Sequence, residues 1–332
     1  MRIAIRTSGG KKIGLGHLFR CLSLAHALKI TRKSVEVLFI ANKESQDLIL
    51  KNGFNFISSE YFNKADLELI KSIEPTIIIF DSYLASKEYL EDLKSISFIV
   101  QFDDNNDIYG PIVANILING NLHSKSLDYT SKYDDTLFLL GPKYLVMKPE
   151  YWNLSNHKED GEGILITTGG GDLYNLMPKL FDALKPLKIR KRFVIGPAFS
   201  NTQEKILSYV IKDDPFSEII RQPSSLKSYI ADSEVVISAS GSTVYEVLTL
   251  RKVPIVFTVA QNQLLLAHKL RQEGVPYLGW HNQIDWKNLS STVQKVLNNK
   301  AYFSNKLKNL FERFDGKGAL RVADIILKKV NR

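Results

Sequence analysis

The strongest constraint on this chain is its rhythm. Short runs rich in Val, Ile and Phe alternate with longer amphipathic stretches, and the alternation stops at a polar, aperiodic segment and then starts again. Runs of that kind separated by helix-length connections are what a parallel sheet with crossover helices requires. They fall at 2–6, 35–40, 54–57, 76–80, 97–102, 115–118 and 136–139, then at 163–168, 192–195, 218–220, 234–238 and 254–257. The break at 150–163 reads as a linker, with the freedom to act as a hinge. At 332 residues the chain exceeds what one hydrophobic core usually fills. The expected fold is therefore α/β, two Rossmann-like open parallel-sheet lobes facing across a cleft. The first covers 1–155 and the second 160–315. Residues 316–332, with Leu320, Val322, Ile325 and Ile326 at helical spacing, form a terminal helix expected to pack back on the first lobe.

Composition narrows the partners. Hydrophobic residues make up 44% and charged residues 24%, an ordinary globular balance. No apolar run reaches the roughly 20 residues of a membrane span, and Met1 to Arg6 reads as a strand rather than a cleavable signal. A cytoplasmic protein without membrane insertion is expected. The net charge of +9 is spread over scattered Lys and Arg rather than a basic block, which favours an anionic small substrate over nucleic acid. Cys21 is the only cysteine, so an intramolecular disulfide is excluded, and its neighbours place it on a buried helix face. The remaining histidines, His26, His123, His157, His268 and His281, lack metal-ligand spacing. No metal and no cofactor are expected.

In open α/β sheets ligands bind beyond the carboxyl ends of the strands. The first such place is Arg6 to Arg20, where a strand ends in a glycine-rich loop containing Gly9, Gly14 and Gly16. Leu18, Cys21, Leu22, Ala25 and Leu28 then recur at helical spacing. His17 thus stands at a helix start, where the dipole disfavours imidazolium and leaves a neutral ring suited to a general base. Arg20, on the same side of the helix, could hold a phosphate or carboxylate. The glycine order is not G-x-G-x-x-G, and the glycines could equally serve the turn alone. Two further strand ends carry carboxylates, Asp81 before Ser82-Tyr83, and Asp103-Asp104. Each could orient the imidazole or meet a sugar hydroxyl, or else cap the next helix or turn, the reading that the Asp-Asn cluster favours for Asp103 and Asp104.

In the second lobe a strand runs into Gly169-Gly170-Gly171-Asp172, where backbone amides and a helix starting near Tyr174 could approach an anion. Another leads to Ser240-Gly241-Ser242-Thr243, with Glu246 one turn on. Small hydroxyl residues at a helix start can receive a diphosphate and Glu246 a ribose diol. An ordinary capping box explains the same letters. The amides Gln261, Asn262 and Gln263 follow the next strand and could reach phosphate or sugar.

Taken in order, several of these segments form a pattern. It comprises G-x-G-H-x-x-R at Gly14 to Arg20, Asp81 with Tyr83, Phe102-Asp103-Asp104, Asn119-Gly120-Asn121, Gly141-Pro142-Lys143-Tyr144, Gly169-Gly170 with Asp172 and Asn175, Ile237 to Glu246, and Gln261-Asn262-Gln263. It resembles the family of UDP-sugar hydrolases of pseudaminic acid biosynthesis and spore-coat polysaccharide proteins, and its second lobe is more distantly similar to the peptidoglycan N-acetylglucosaminyltransferases. The likeness spans most of 1–290.

That resemblance implies a GT-B architecture and metal-independent cleavage of a UDP-linked diacetamido-trideoxyhexose at the anomeric carbon with inversion. His17 would be the base or would position the water. Gly14, Gly16, Arg20, Asp81, Tyr83, Asp103 and Asn119 would meet the sugar. Gly169, Gly170, Ser240, Gly241, Ser242, Thr243, Glu246, Asn262 and Gln263 would hold the nucleotide. The sequence departs from the pattern at Ser8, where an acidic residue is common, and at Ser82, where the hydrolases carry histidine. Two other functions fit the same scaffold. A glycosyltransferase would show an exposed apolar or basic patch and slow hydrolysis without acceptor, and a non-catalytic sensor would bind UDP without turnover.

Overall fold

The computed structural model describes residues 1–10, 13–154 and 161–330. Every expected run is a strand, its ends shifted by a residue or two. The first sheet contains β1 (Arg2–Thr7), β2 (Glu36–Ala41), β3 (Asn55–Ser58), β4 (Ile77–Asp81), β5 (Phe98–Phe102), β6 (Ile116–Asn119) and β7 (Leu137–Leu140). The second contains β8 (Ile164–Thr167), β9 (Lys191–Ile195), β10 (Ser217–Arg221), β11 (Val235–Ala239), β12 (Val253–Thr258) and β13 (Tyr277–Trp280). β13 lies outside the runs that the alternation marks.

The strand orders are β3-β2-β1-β4-β5-β6-β7 and β10-β9-β8-β11-β12-β13. All pairings are parallel, so the carboxyl ends of each sheet lie on one edge. The order reverses at β1/β4 in the first sheet and at β8/β11 in the second. Those are the switch points where a doubly wound sheet opens a crevice.

The chain separates into two compact units, Met1–Asn153 with Gly316–Arg332, and Leu154–Asp315. Residues 155–160 of the expected linker, with His157, lie outside the described residues, as do Lys11, Lys12 and the last two residues.

In the first unit successive strand residues serve opposite faces, as the pleat requires. Ile3 and Ile5 join one apolar cluster and Ala4 the other. The first of these clusters also holds Leu18, Cys21, Leu22 and Leu28 of the helix Gly16–Thr31 and Ala319, Val322, Ala323 and Ile326 of the terminal helix Gly318–Val330. Glycine admits the chain there. Gly316 has φ +74°, and a Cβ on it would stand 2.0 Å from the Tyr151 carbonyl oxygen. Among the described residues no helix is long and apolar enough to cross a membrane.

Candidate functional site

The first unit gathers a polar network at the carboxyl ends of β1, β4, β5 and β6. The sixteen-residue helix Gly16–Thr31 begins after Leu15 with neither a side-chain cap nor an acidic residue in its first turn. His17, in that turn, brings Nδ1 to 2.7 Å from Oδ1 of Asp81, the last residue of β4. Asp81 is fully buried, whereas the His17 side chain keeps 13% of its surface exposed. A carboxylate can only accept, so when the ring is neutral Nδ1 carries its proton and Nε2 is the acceptor.

One helical turn on, Arg20 donates from Nε (2.9 Å) and Nη2 (2.7 Å) to Asp81, and from Nη1 to both oxygens of Asp104 at 2.8 and 3.0 Å. Its guanidinium also lies over the Phe102 ring at 4.5 Å. Asn121 Nδ2 donates to Asp104 at 2.8 Å, and the Tyr83 hydroxyl donates to the same carboxylate. The Tyr83 ring meets His17 edge-on with centroids 4.6 Å apart. Cys21 Sγ, buried, points at Asp81 from 3.7 Å, and burial pushes its thiol up.

Burial alone would raise both carboxyls. For Asp81 the charges of Arg20 and His17 outweigh it and hold the group below the usual carboxylate range. For Asp104 the Arg20 charge and its hydrogen bonds do so more strongly. Burial and the Asp104 charge push the Tyr83 phenol far up, so it stays a donor.

A folded-state pKa below the unfolded value means that the unfolded chain takes up protons first. The stability these two carboxylates lend is therefore complete above about pH 4 and is lost as pH falls through their lowered native values. In urea unfolding followed against pH, Asp104→Asn should flatten the decline below about pH 4. An unaltered slope would contradict the Arg20–Asp104 pairing.

Several expected site residues are held by partners within the protein. Of the two partners the sequence allowed Arg20, phosphate or carboxylate, it holds carboxylates, those of Asp81 and Asp104. Asp103, buried, accepts from the backbone amides of Asn105 and Asn106 and from Tyr129, the turn that its neighbours favour. Asn119 donates to the Asp104 carbonyl and Tyr129 and accepts from Asn121. At Arg20 the network runs on through Asp104, with Asn121 behind it.

Gly14 and Gly16 remain open. Gly14 (φ +88°) pairs with Gly10 through two backbone hydrogen bonds, and at both positions a Cβ would meet no protein atom within 4 Å. Ser8 and Ser82, the two departures from the family pattern, are buried side by side with hydroxyls 3.3 Å apart. They are thus one local change rather than two.

In the second unit the expected nucleotide residues leave the carboxyl ends of β8, β11 and β12. Gly169 has φ +94°, and neither it nor Gly170 would place a Cβ within 4 Å of another atom. The helix that follows starts at Leu176, and its first amides are already taken. The Asp172 carboxylate accepts from the amides of Leu176 and Met177 at 2.8 and 2.9 Å, so that helix start is no anion site.

Ser240 is also inward, donating from its amide (2.8 Å) and hydroxyl (2.9 Å) to the Phe257 carbonyl. Ser242 precedes the helix Thr243–Thr249 without capping it, so the capping-box explanation of Ser242 to Glu246 fails. Glu246 is half-buried one turn into that helix. Gln263, half-buried, accepts from the Val259 amide and brings its Nε2 to 3.8 Å from where a Cβ on Gly241 would stand, so the β11 and β12 loops adjoin. Asn262 is exposed.

No protein-family model matches the chain. It is similar to an uncharacterized protein of Methanocaldococcus jannaschii, 30% identical over 282 residues, which takes in 80% of this chain and 56% of that protein. The chain therefore spans little more than half the length of that relative. It is also similar to the spore coat polysaccharide biosynthesis protein SpsG of Bacillus subtilis, 24% identical over 98% of both chains. A third relative is the UDP-2,4-diacetamido-2,4,6-trideoxy-beta-L-altropyranose hydrolase of Campylobacter jejuni, 25% identical over 76% of this chain and 89% of that protein. Among solved structures, MurG of Acinetobacter baumannii superposes with a TM-score of 0.67 at 13% identity, covering 98% of this chain and 99% of that one. The glycosyltransferase VinC in complex with dTDP reaches 0.68 at 11% identity over the full length of both. The fold is GT-B. At such identities the likeness speaks for architecture alone.

Proposed function

We propose that this chain hydrolyses a UDP-linked acetamido sugar at the anomeric carbon with inversion, releasing UDP and the free sugar. The observation that carries the reading is the Nδ1 bond from His17 to buried Asp81, which leaves Nε2 as a fixed proton acceptor. In the proposed step a water oxygen bonds to the anomeric carbon while the bond from that carbon to the diphosphate oxygen breaks. The water's proton passes to Nε2, and Asp81 stabilises the imidazolium that results. UDP leaves as an anion, and in the second unit the amides of Gly170, Ser242 and Thr243 are assigned to its diphosphate, those of Gly169 and Gly241 being taken by Thr167 and Ala239. Glu246 is assigned to the ribose, and Tyr83 and the open Gly14 and Gly16 to the sugar. The activity for which the Campylobacter jejuni relative is named supports this chemistry.

The test is acceptor-free incubation with a panel of UDP-linked 2-acetamido sugars, followed by NMR. UDP and a free sugar of inverted anomeric configuration are expected. Absence of UDP release across the panel, or retained configuration, would overturn the proposal.

A second reading, transfer to a carbohydrate acceptor, is favoured by one observation. Ile13, Phe19 and Leu84 are exposed apolar side chains in the segments that carry Gly14, His17 and Tyr83. It predicts UDP release that is slow in buffer and accelerates with an added glycan.

A further inference from the structure

The second unit carries an aromatic pair with no part in the chemistry above. Tyr174 and His281 are stacked with ring centroids 3.6 Å apart and planes 12° from parallel, and the Trp280 ring stands 5.6 Å from His281. The partners come from distant strand ends, Tyr174 from the loop after β8 and His281 from the residue following β13. In the sheet order β8-β11-β12-β13 the pair thus spans the carboxyl ends of β11 and β12.

Both rings are held in place by the backbone. The His281 amide donates to the Thr258 carbonyl at 2.8 Å, at the end of β12. On the other side, Asp172 clamps the helix at Leu176 and Met177, and Gln203 Nε2 donates to the Asp172 carbonyl at 2.5 Å and to Asn175 Oδ1 at 3.3 Å. Asn175 takes the left-handed conformation (φ 50°, ψ 49°) directly after Tyr174. Asparagine tolerates that conformation, so the turn after Tyr174 is fixed without strain.

What is presented is apolar and open. Tyr174 keeps 39% of its surface exposed and its neighbour Leu173 keeps 83%. Exposed aromatic faces on a pre-ordered loop, at the edge where parallel sheets bind ligands, suit a ring with a hydrogen-rich apolar face.

We infer that the Tyr174–His281 pair is the platform on which the pyranose ring of the nucleotide sugar rests. The inference builds on the proposed function. With the diphosphate assigned to the β11 loop and the ribose to Glu246 in the helix behind it, the sugar is the end of the ligand left to reach β13. Because the two rings cover each other's inner faces, the C–H groups of the sugar meet the outer face of one ring while the other holds it in place. The Tyr174 hydroxyl, the His281 ring nitrogens and the Asn262 amide offer hydrogen bonds to its hydroxyl and acetamido groups.

The test is calorimetric titration of the full chain with UDP and with UDP-N-acetylglucosamine. Wild type should bind the sugar nucleotide more tightly than UDP. Tyr174→Ala and His281→Ala should each weaken UDP-N-acetylglucosamine by about five- to tenfold and leave UDP unchanged. Tyr174→Phe, which keeps the ring, should stay close to wild type. Equal losses for both ligands would place the nucleobase on the rings, and unchanged affinities would make the pair a surface brace. Either result, or a wild type that prefers UDP, overturns the inference. A wild type that binds neither ligand would instead overturn the proposed function.

Discussion

Replacing His17 with asparagine is expected to lower turnover of the UDP-sugar by about 10²- to 10⁴-fold, the range a positioned general base supplies, while UDP affinity and melting temperature stay at wild-type values. Asparagine has nearly the reach of imidazole and can still donate to Asp81, so the Asp81–Arg20–Asp104 network is preserved. Its side chain cannot accept a proton at neutral pH. The residue is only partly buried and stands at a helix start, so its packing contribution is small. Steady-state kinetics with calorimetric UDP binding make the comparison. A variant that turns over normally would remove His17 from the chemistry. One that loses UDP binding would show that the substitution acts on more than proton transfer.

Asp81→Asn is expected to be as damaging to turnover, by about 10³- to 10⁴-fold, for a different reason. An amide at position 81 can donate to Nδ1, which moves the imidazole proton to Nε2 and turns the acceptor away from its task. The same substitution removes a charge from beside Arg20, whose Nη2 lies 2.7 Å from the fully buried carboxylate. Breaking a buried pair costs about 3–5 kcal/mol, and because Asp104 still holds the guanidinium the loss should fall at the low end. The two variants therefore separate in a thermal scan, His17→Asn melting with wild type and Asp81→Asn below it. A variant at Asp81 that keeps near-normal turnover would dismiss the imidazole–carboxylate pair as the catalytic unit.

What the letters reveal, and what they conceal, follows from the range of each signal. Asp81 and His17 were legible because a strand end and a helix start are local patterns, and a doubly wound sheet must bring its strand ends to one edge. Which partners Arg20 holds was not. Its carboxylates lie 61 and 84 positions away, and a lone arginine on a helix looks the same whether it is saturated or free. The pair Asp103-Asp104 defeats sequence reading for a finer reason. One of the two must fold back into the turn, and only the path of the chain after Phe102 decides which. Ser240 misled in a similar way, since a small hydroxyl beside glycine suggests a phosphate loop until its donors are seen to meet the Phe257 carbonyl. β13 escaped because it is four half-exposed residues including Gly279, with its register broken against β12. The terminal helix needed no such help, because its period of 3.6 survives within one segment.

The way the first unit is closed has a consequence for its biosynthesis. Its helix seam is completed by a segment that leaves the ribosome only after all 162 residues of the second unit, Leu154–Asp315, have been made. Until then Leu18, Leu22 and Leu28 have no Val322 or Ile326 to cover them. The nascent chain thus carries an apolar stripe through the synthesis of an entire lobe, a window in which trigger-type chaperones act and in which aggregation competes. Native closure of the first lobe is a late event, gated by translation rather than by the order in which its own strands appear.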